Sequence, residues 1–202
     1  MKIAAKTILV TGFGPFPGAP VNPTELLMHR LPKRLGSHQH HVAFEFHVLP
    51  TTWEARNSVT DKLRKDLKPD AIVHFGVDGT RKTINVESRA VNRAIRVRGD
   101  SSGRSPDRPE LALGPERHRF ATLPIGPMVI AARTAGVPTN ASIDAGTYLC
   151  NATLWDSIGS AIPSVFVHVP SLPKGKNDPR PSLPELENAA VSLLHEIARR
   201  LR

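Results

Sequence analysis

The stretch Thr7-Ile-Leu-Val-Thr-Gly-Phe-Gly-Pro-Phe-Pro-Gly18, followed shortly by Asn22-Pro-Thr-Glu25, contains a strand, a turn and the start of a helix. Thr7 to Thr11 is a β-branched apolar run that reads as a strand, and the Gly/Pro cluster after it ends the strand in a turn. Asn22 then reads as an N-cap, Pro23 as the first helical residue and Glu25 as part of an acidic first turn, leading through Leu26, Leu27 and Leu31. Working outward, the same alternation recurs. Strands are predicted over Val42 to Leu49, Ala71 to Phe75 and Ser164 to Val169, with shorter ones over Asn85 to Val91 and Thr139 to Ser142. Thr52 opens a second helix with Val59, Leu63 and Leu67 spaced four apart, closed by Lys68 and Pro69. A third helix is expected over Ile125 to Ala135, a fourth from Thr147 or its neighbour through Ser157. The last runs from Pro184 to Leu201 on Leu186, Ala190, Leu193, Leu194 and Ile197. Strands alternating with helices are the pattern of βαβ units and a largely parallel sheet. There are no internal repeats, and Arg98 to Glu116 and Lys174 to Ser182 read as loops.

With 202 residues, 40% of them hydrophobic and 22% charged, the chain is expected to form one domain over residues 1–202, and fibrous, coiled-coil and wholly disordered classes are excluded. The longest apolar runs, such as Ile8 to Val10 and Val165 to Val167, fall far short of the ~18 residues that span a bilayer, so no membrane association and no leader are expected. The single cysteine, Cys150, cannot form an intrachain disulfide. That fits a reducing compartment, and the cytoplasm is the expected location. A formal net charge of +9 would suit nucleic acid. Yet Arg96, Arg98, Arg104, Arg108, Arg117 and Arg119, and Arg199, Arg200 and Arg202 at the end, lack the interleaved aromatics that stack on bases, so they read as solvated surface and no nucleic-acid partner is expected.

Cys150 and His168 are the residues that point to chemistry. A thiol near a helix start gains from the dipole and from unsatisfied N–H groups, and Gly146 and Thr147 supply that start. His168 stands toward the C-terminal end of a predicted strand, where open α/β sheets keep their sites. The plain alternatives are a small buried thiol and an interior histidine. A Cys-His pair needs a third group to orient the imidazole, and Glu87, Asp78 and Asp144 are candidates. Glu87 lies in the strand-like Ile84-Asn-Val-Glu-Ser-Arg-Ala-Val-Asn92, where an idle interior carboxylate would be costly, unless it marks an edge-strand surface. Asp144 and Asp78 are explained as turn residues before Gly146 and Gly79. Thr11 to Gly18 lacks the GxGxxG spacing and the Walker lysine, so Phe13 and Phe16 suit a small apolar group better than a nucleotide. Ser37-His-Gln-His-His41 has no carboxylate or cysteine at ligand spacing and reads as a solvated loop, so no metal site is expected.

Several separate motifs together resemble the pyroglutamyl peptidase I family of cysteine peptidases, also called pyrrolidone carboxyl peptidases, which release N-terminal pyroglutamate. They are Thr11-Gly-Phe-Gly-Pro-Phe16 with Asn22-Pro-Thr24, Glu87 with Ala90 and Asn92, Thr122-Leu-Pro-Ile125, Ala145-Gly-Thr-Tyr-Leu-Cys-Asn151, and Phe166-Val-His-Val-Pro170 with Leu172-Pro173. The resemblance implies Cys150 as nucleophile, His168 as base and Glu87 as its orienting partner. It also implies a ring pocket lined by Phe13, Phe16, Tyr148 and Leu149, contacts to the lactam from Asn22 and the Val77 backbone, no cofactor, and a homotetramer. Asn22 keeps its competing role as N-cap. The sequence departs from the family pattern at Gly79-Thr80-Arg81, where the family has Gly-Gly-Arg, and at Arg93-Ala-Ile-Arg-Val-Arg98, where Arg96 and Val97 compete for the place of a family arginine. Tyr148 stands where the family has Phe, and its hydroxyl needs a partner if buried.

The resulting expectation is a three-layer α/β/α sandwich with a mixed, mostly parallel central sheet, acting as a metal-free cysteine exopeptidase on peptides with N-terminal pyroglutamate. The alternatives are a lactam-binding homologue with altered or lost turnover, suggested by the changed pocket wall, and a nucleic-acid binder, suggested by the charge.

Overall fold

The computed structural model describes residues 6–35, 38, 39, 42–96 and 99–201. Ser37, His40 and His41 of the histidine cluster, and Val97 and Arg98 of the altered segment, lie outside the described residues. The chain runs β1 (Lys6–Phe13), α1 (Pro23–Leu35), β2 (His38–Gln39), β3 (Val42–Leu49), α2 (Trp53–Leu67), β4 (Ala71–Val77), β5 (Ile84–Glu87), β6 (Arg89–Val91), β7 (His118–Phe120), α3 (Ile125–Thr134), β8 (Thr139–Ser142), α4 (Leu149–Gly159), β9 (Ser164–Val169) and α5 (Leu183–Arg200).

Seven strands form one sheet in the order β2-β3-β1-β4-β9-β5-β8. The pairs β1–β3, β1–β4, β4–β9 and β5–β8 are parallel, whereas β2–β3 and β5–β9 are antiparallel. This is the mixed, mostly parallel sheet expected. The central strands are buried along nearly their whole length, which is why they read as continuous apolar runs. On one face Ile8, Val10, Val73, Phe75, Val165 and Val167 pack with Leu27, Leu31, Met128, Leu193 and Ile197 of α1, α3 and α5. The other face carries Phe166, which packs with Leu154 and Trp155 of α4. Period-two alternation separates the two sets.

Local chemistry sets the boundaries. Asn22 Oδ1 accepts from the Thr24 N–H at 3.0 Å and starts α1. Thr52 Oγ1 accepts from the Ala55 N–H at 3.1 Å and starts α2. Ser182 and Glu185 form a reciprocal capping box on α5.

Asn85 to Val91, expected as one strand, is two. Ser88 donates through its N–H (2.7 Å) and Oγ (2.9 Å) to the Ser142 C=O, while its own C=O accepts from Ala121. The chain therefore leaves the main sheet at Ser88, and β6 pairs antiparallel with β7 in a separate two-stranded sheet. Strand β7, His118–Phe120, was not legible in the polar stretch that contains it. Two asparagines hold this region. Asn151 of α4 accepts from the Val91 N–H and donates to the Val91 and Arg93 carbonyls, all at 2.8–3.0 Å. Asn92 donates to the Ala112 and Glu116 carbonyls and accepts from the Leu111 and Ala112 N–H groups.

Asn92→Ala leaves four backbone groups without these partners, and each buried unpaired group costs about 1–3 kcal/mol. These groups are only partly buried, so water takes over some of the bonds, and a net loss of about 2 kcal/mol corresponds to a fall in Tm of about 4–8 °C for a domain of this size. Limited proteolysis should then cut first between residues 99 and 117; an unchanged Tm and cleavage pattern would show that Asn92 does not hold this loop.

Candidate active site

Cys150 is the second residue of α4. Intrahelical bonding begins with the Ala152 N–H, which donates to the Tyr148 C=O, so the amides of Leu149, Cys150 and Asn151 have no acceptor within the helix. Tyr148 at the N-cap makes no side-chain cap; its hydroxyl donates instead to the Gly99 C=O at 2.9 Å, and its ring meets Trp53 edge-on at 5.7 Å. The hydroxyl that distinguishes Tyr148 from the family Phe thus ties the site to the start of the 99–104 loop. Gly146 has φ +75, a left-handed conformation that favours glycine, in the turn leading to this helix. The turn is closed by Asp144 Oδ1, which accepts from the Gly146 N–H at 3.0 Å.

The sheet approaches the thiol closely. A Cβ at Gly76 would lie 2.5 Å from Phe166 Cζ and 3.1 Å from Cys150 Sγ, so only glycine fits there with the present packing. In register, Gly76 of β4 pairs with His168 of β9, and His168 pairs with Asn85 of β5. Glu87, two residues beyond Asn85, therefore shares the face of His168 and reaches it diagonally. His168 Nδ1 and Glu87 Oε1 are 2.9 Å apart. An ionised carboxylate only accepts, so Nδ1 carries the proton and Nε2 is the ring nitrogen available to the thiol.

Glu87 is 0% exposed, which disposes of the edge-surface alternative. His168 is 3% exposed. Burial pushes its imidazole down, but the Cys150 sulfur and the Glu87 carboxylate outweigh burial, and the group is raised from 6.5 to about 9. The other two carboxylate candidates are engaged in turns. Asp144 closes the turn before Gly146. Asp78 accepts from Thr80 through Oδ1 and from Arg81 through Oδ2, and its pKa stays low despite burial because of these bonds. Thr80, one of the departures from the family pattern, is therefore part of the turn that fixes Asp78. Arg81, which sequence reading noted without giving it a role, also places Nη1 3.1 Å from Glu87 Oε1.

A cavity of about 440 Å³ opens over this group, lined among others by Phe13, Phe16, Asn22, Val77, Ile95, Tyr148, Leu149, Cys150 and His168. All the expected pocket residues meet there. Asn22 is engaged within the protein: Oδ1 serves Thr24, and Nδ2 donates to the Gly14 C=O at 2.9 Å. The ladder between β1 and β4 ends at the Thr11–His74 pair, three residues before Val77, which lines the cavity. Among the described residues no group of three or more His, Cys, Asp or Glu is placed to hold a metal ion.

Residues 6–198 match the pyroglutamyl peptidase family model. The chain belongs to the pyroglutamyl peptidase family. It is 33% identical over 205 residues to the pyrrolidone-carboxylate peptidase of Pyrococcus furiosus, covering 95% of this chain and 97% of that one. It is likewise 33% identical over 207 residues to that of Bacillus licheniformis, covering 95% and 94%. The solved pyrrolidone carboxyl peptidase of Thermococcus litoralis superposes with a TM-score of 0.85 at 28% identity, over 97% of this chain and 94% of that one. That of Thermus thermophilus gives 0.83 at 30% identity, over 94% and 99%.

Because the folded-state pKa of His168 is raised, its proton stabilises the fold fully below 6.5, and that contribution disappears as pH rises through about 9. An NMR titration of the His168 ring should place its midpoint near 9. In Cys150→Ser the sulfur is gone and the midpoint should fall below 9; a midpoint that stays near 9 would remove the sulfur as a cause.

Proposed function

We propose that this chain removes N-terminal pyroglutamate from peptides, with Cys150 as nucleophile, His168 as acid and base, and Glu87 orienting His168. The observation that carries this reading is the hydrogen-bonded Glu87–His168 pair at 2.9 Å, set beside a cysteine in the first turn of a helix, under a largely apolar cavity. A thiolate there attacks the carbonyl joining pyroglutamate to the next residue. The amides at the start of α4 are the donors for the oxyanion that forms. His168 Nε2 then gives its proton to the leaving amine, and water, deprotonated by the same nitrogen, hydrolyses the thioester. Glu87 stabilises the imidazolium throughout without taking its proton.

Phe13, Phe16, Tyr148 and Leu149 supply the apolar walls for a five-membered lactam. The backbone of Val77 supplies hydrogen bonding for its N–H or C=O, and Asn22 shapes the pocket through Gly14. The reading carries with it the homotetramer implied by the family resemblance. Exposed Ile130 and Ile143 are apolar side chains that such an assembly would cover. Light scattering should give four times the chain mass.

Release of a fluorescent amine from its pyroglutamyl amide is expected with the wild-type chain and lost in Cys150→Ala, while the fold is retained. A wild-type chain that binds the amide without turnover would instead be the lactam-binding homologue. With one leaving group, kcat/KM should fall by roughly tenfold or more for prolyl amides, which lack the ring carbonyl, and for glutamyl amides, which add two charges. Equal cleavage of prolyl and pyroglutamyl amides would overturn the pocket assignment.

Glu87→Gln should lower kcat by about a hundredfold while KM stays within roughly threefold, because the substitution leaves the ring pocket intact. An unchanged kcat would remove Glu87 from the reaction.

A further inference from the structure

A carboxylate that is 0% exposed is costly to keep ionised, and His168 alone is a poor guarantor, because it must carry and release a proton in each turnover. Glu87 Oε1 serves two cations, His168 Nδ1 at 2.9 Å and Arg81 Nη1 at 3.1 Å. Glu87 Oε2 is buried and meets no hydrogen-bonding partner among the described residues. Arg81 is therefore the permanent positive charge beside Glu87. Its remaining donors are used to hold it still. Nε donates to Asp78 Oδ2 at 2.9 Å and Nη2 to the Asp144 C=O at 2.7 Å, while its own N–H closes the turn onto the Asp78 C=O at 3.1 Å. One guanidinium thus spans the turn after β4, the end of β5 and the loop after β8. A lysine, with one point charge, has no such fork.

We propose that Arg81 is a positioning residue of the reaction, holding the Glu87 carboxylate charged and aimed at His168. It acts through Glu87 and touches no reacting atom. The proposal rests on the peptidase reading given above. The charged or titratable groups around Glu87 are His168 from β9, Arg81 and Asp78 from the turn after β4, and Cys150 of α4 beyond His168. Without Arg81, Glu87 keeps one cationic partner instead of two and loses the fork that fixes its aim, so it supports the His168 imidazolium beside Cys150 less well.

Cys150 is the only cysteine in the chain, so the rate of iodoacetamide alkylation reports its thiolate without requiring turnover. Alkylation and, in parallel, pyroglutamyl amide hydrolysis are followed against pH in the wild type, Arg81→Gln and Arg81→Lys. In Arg81→Gln the acid limb of both profiles should move up by about one pH unit and kcat should fall at least tenfold, with KM within roughly threefold. In Arg81→Lys the charge is kept and the fork lost, so the limb should return to the wild-type position while kcat stays reduced. A Gln variant whose rates fall with an unmoved limb would show a merely structural role and overturn the proposal, as would unchanged rates. If Arg81→Gln does not fold, Arg81→Lys decides, because a limb that moves in that variant contradicts the charge argument. A wild type that alkylates as expected but does not hydrolyse the amide sinks the peptidase reading, while the alkylation profiles of the variants still decide the role of Arg81.

Discussion

One antiparallel pairing in an otherwise parallel core makes the site possible. Strand β5 lies against β9 in the opposite direction, with Asn85 facing His168 and Glu87 facing Phe166. Cross-strand residues in register share a face, so Glu87 falls on the diagonal from His168, within reach of its ring. A one-residue slip of β5 would turn Glu87 to the opposite face, into the apolar layer of α1, α3 and α5. On its actual face, the cost of burying Glu87 is offset by two cationic partners. The register and the charge network enforce each other, since the slipped sheet would bury an unpaired carboxylate.

The same face shows how environment assigns roles to two identical side chains. His74 of β4 faces Phe166 in register, as Gly76 faces His168. Its Nδ1 lies 2.6 Å from Thr11 Oγ1 and its Nε2 2.8 Å from Ser157 Oγ, and both partners are neutral hydroxyls. Burial, with a smaller contribution from Arg64, lowers His74 to about 3, so it is a neutral structural link between the sheet and α4. His168, equally buried but set between a sulfur and a carboxylate, is raised to about 9. Hydroxyls keep one histidine neutral, and anions keep the other charged.

Much of this was legible in the sequence because it rests on local signals. The strands Val42–Leu49, Thr139–Ser142 and Ser164–Val169 and the caps at Asn22 and Thr52 follow from β-branched runs and from side chains that bond their own backbone. Cys150 and His168 stood out as a reactive thiol and a strand-end imidazole. Among the carboxylates, the residues alone left Glu87, Asp78 and Asp144 open, because a turn aspartate and an orienting glutamate differ only in what the tertiary fold puts next to them. The break at Ser88 and the strand His118–Phe120 were missed for a related reason. Both are fixed by partners far along the chain, Ser142 and Ala121 for Ser88 and β6 for the strand, and nothing in a polar, arginine-rich stretch encodes them locally. Arg81 shows the same limit, since its three acceptors come from three separate segments.

The way charges are paired around the cavity bears on which N-terminus it accepts. A site for a free amino terminus needs a carboxylate with an oxygen left to receive the ammonium. Here the two carboxylates nearest His168 are already committed: Asp78 receives the Thr80 N–H and hydroxyl on one oxygen and Arg81 on the other, and Glu87 is sealed beneath His168 with no exposed surface. The groups that line the cavity beyond them are chiefly rings, aliphatic side chains and backbone. An ammonium entering there would lose much of its water and meet, in Asp78, a carboxylate already bonded to Thr80 and Arg81. A lactam has no ammonium, and its one N–H and one C=O match what strand backbone at the cavity wall, such as Val77, offers. Thr80, a departure from the family pattern at the cavity wall, strengthens this arrangement, because its hydroxyl lies 2.7 Å from Asp78 Oδ1 and adds a donor to that oxygen. The hydroxyl is the second donor on Oδ1 beside the Thr80 N–H, which lowers what Asp78 has left to offer an ammonium and so favours a neutral N-terminal ring over a charged amino terminus.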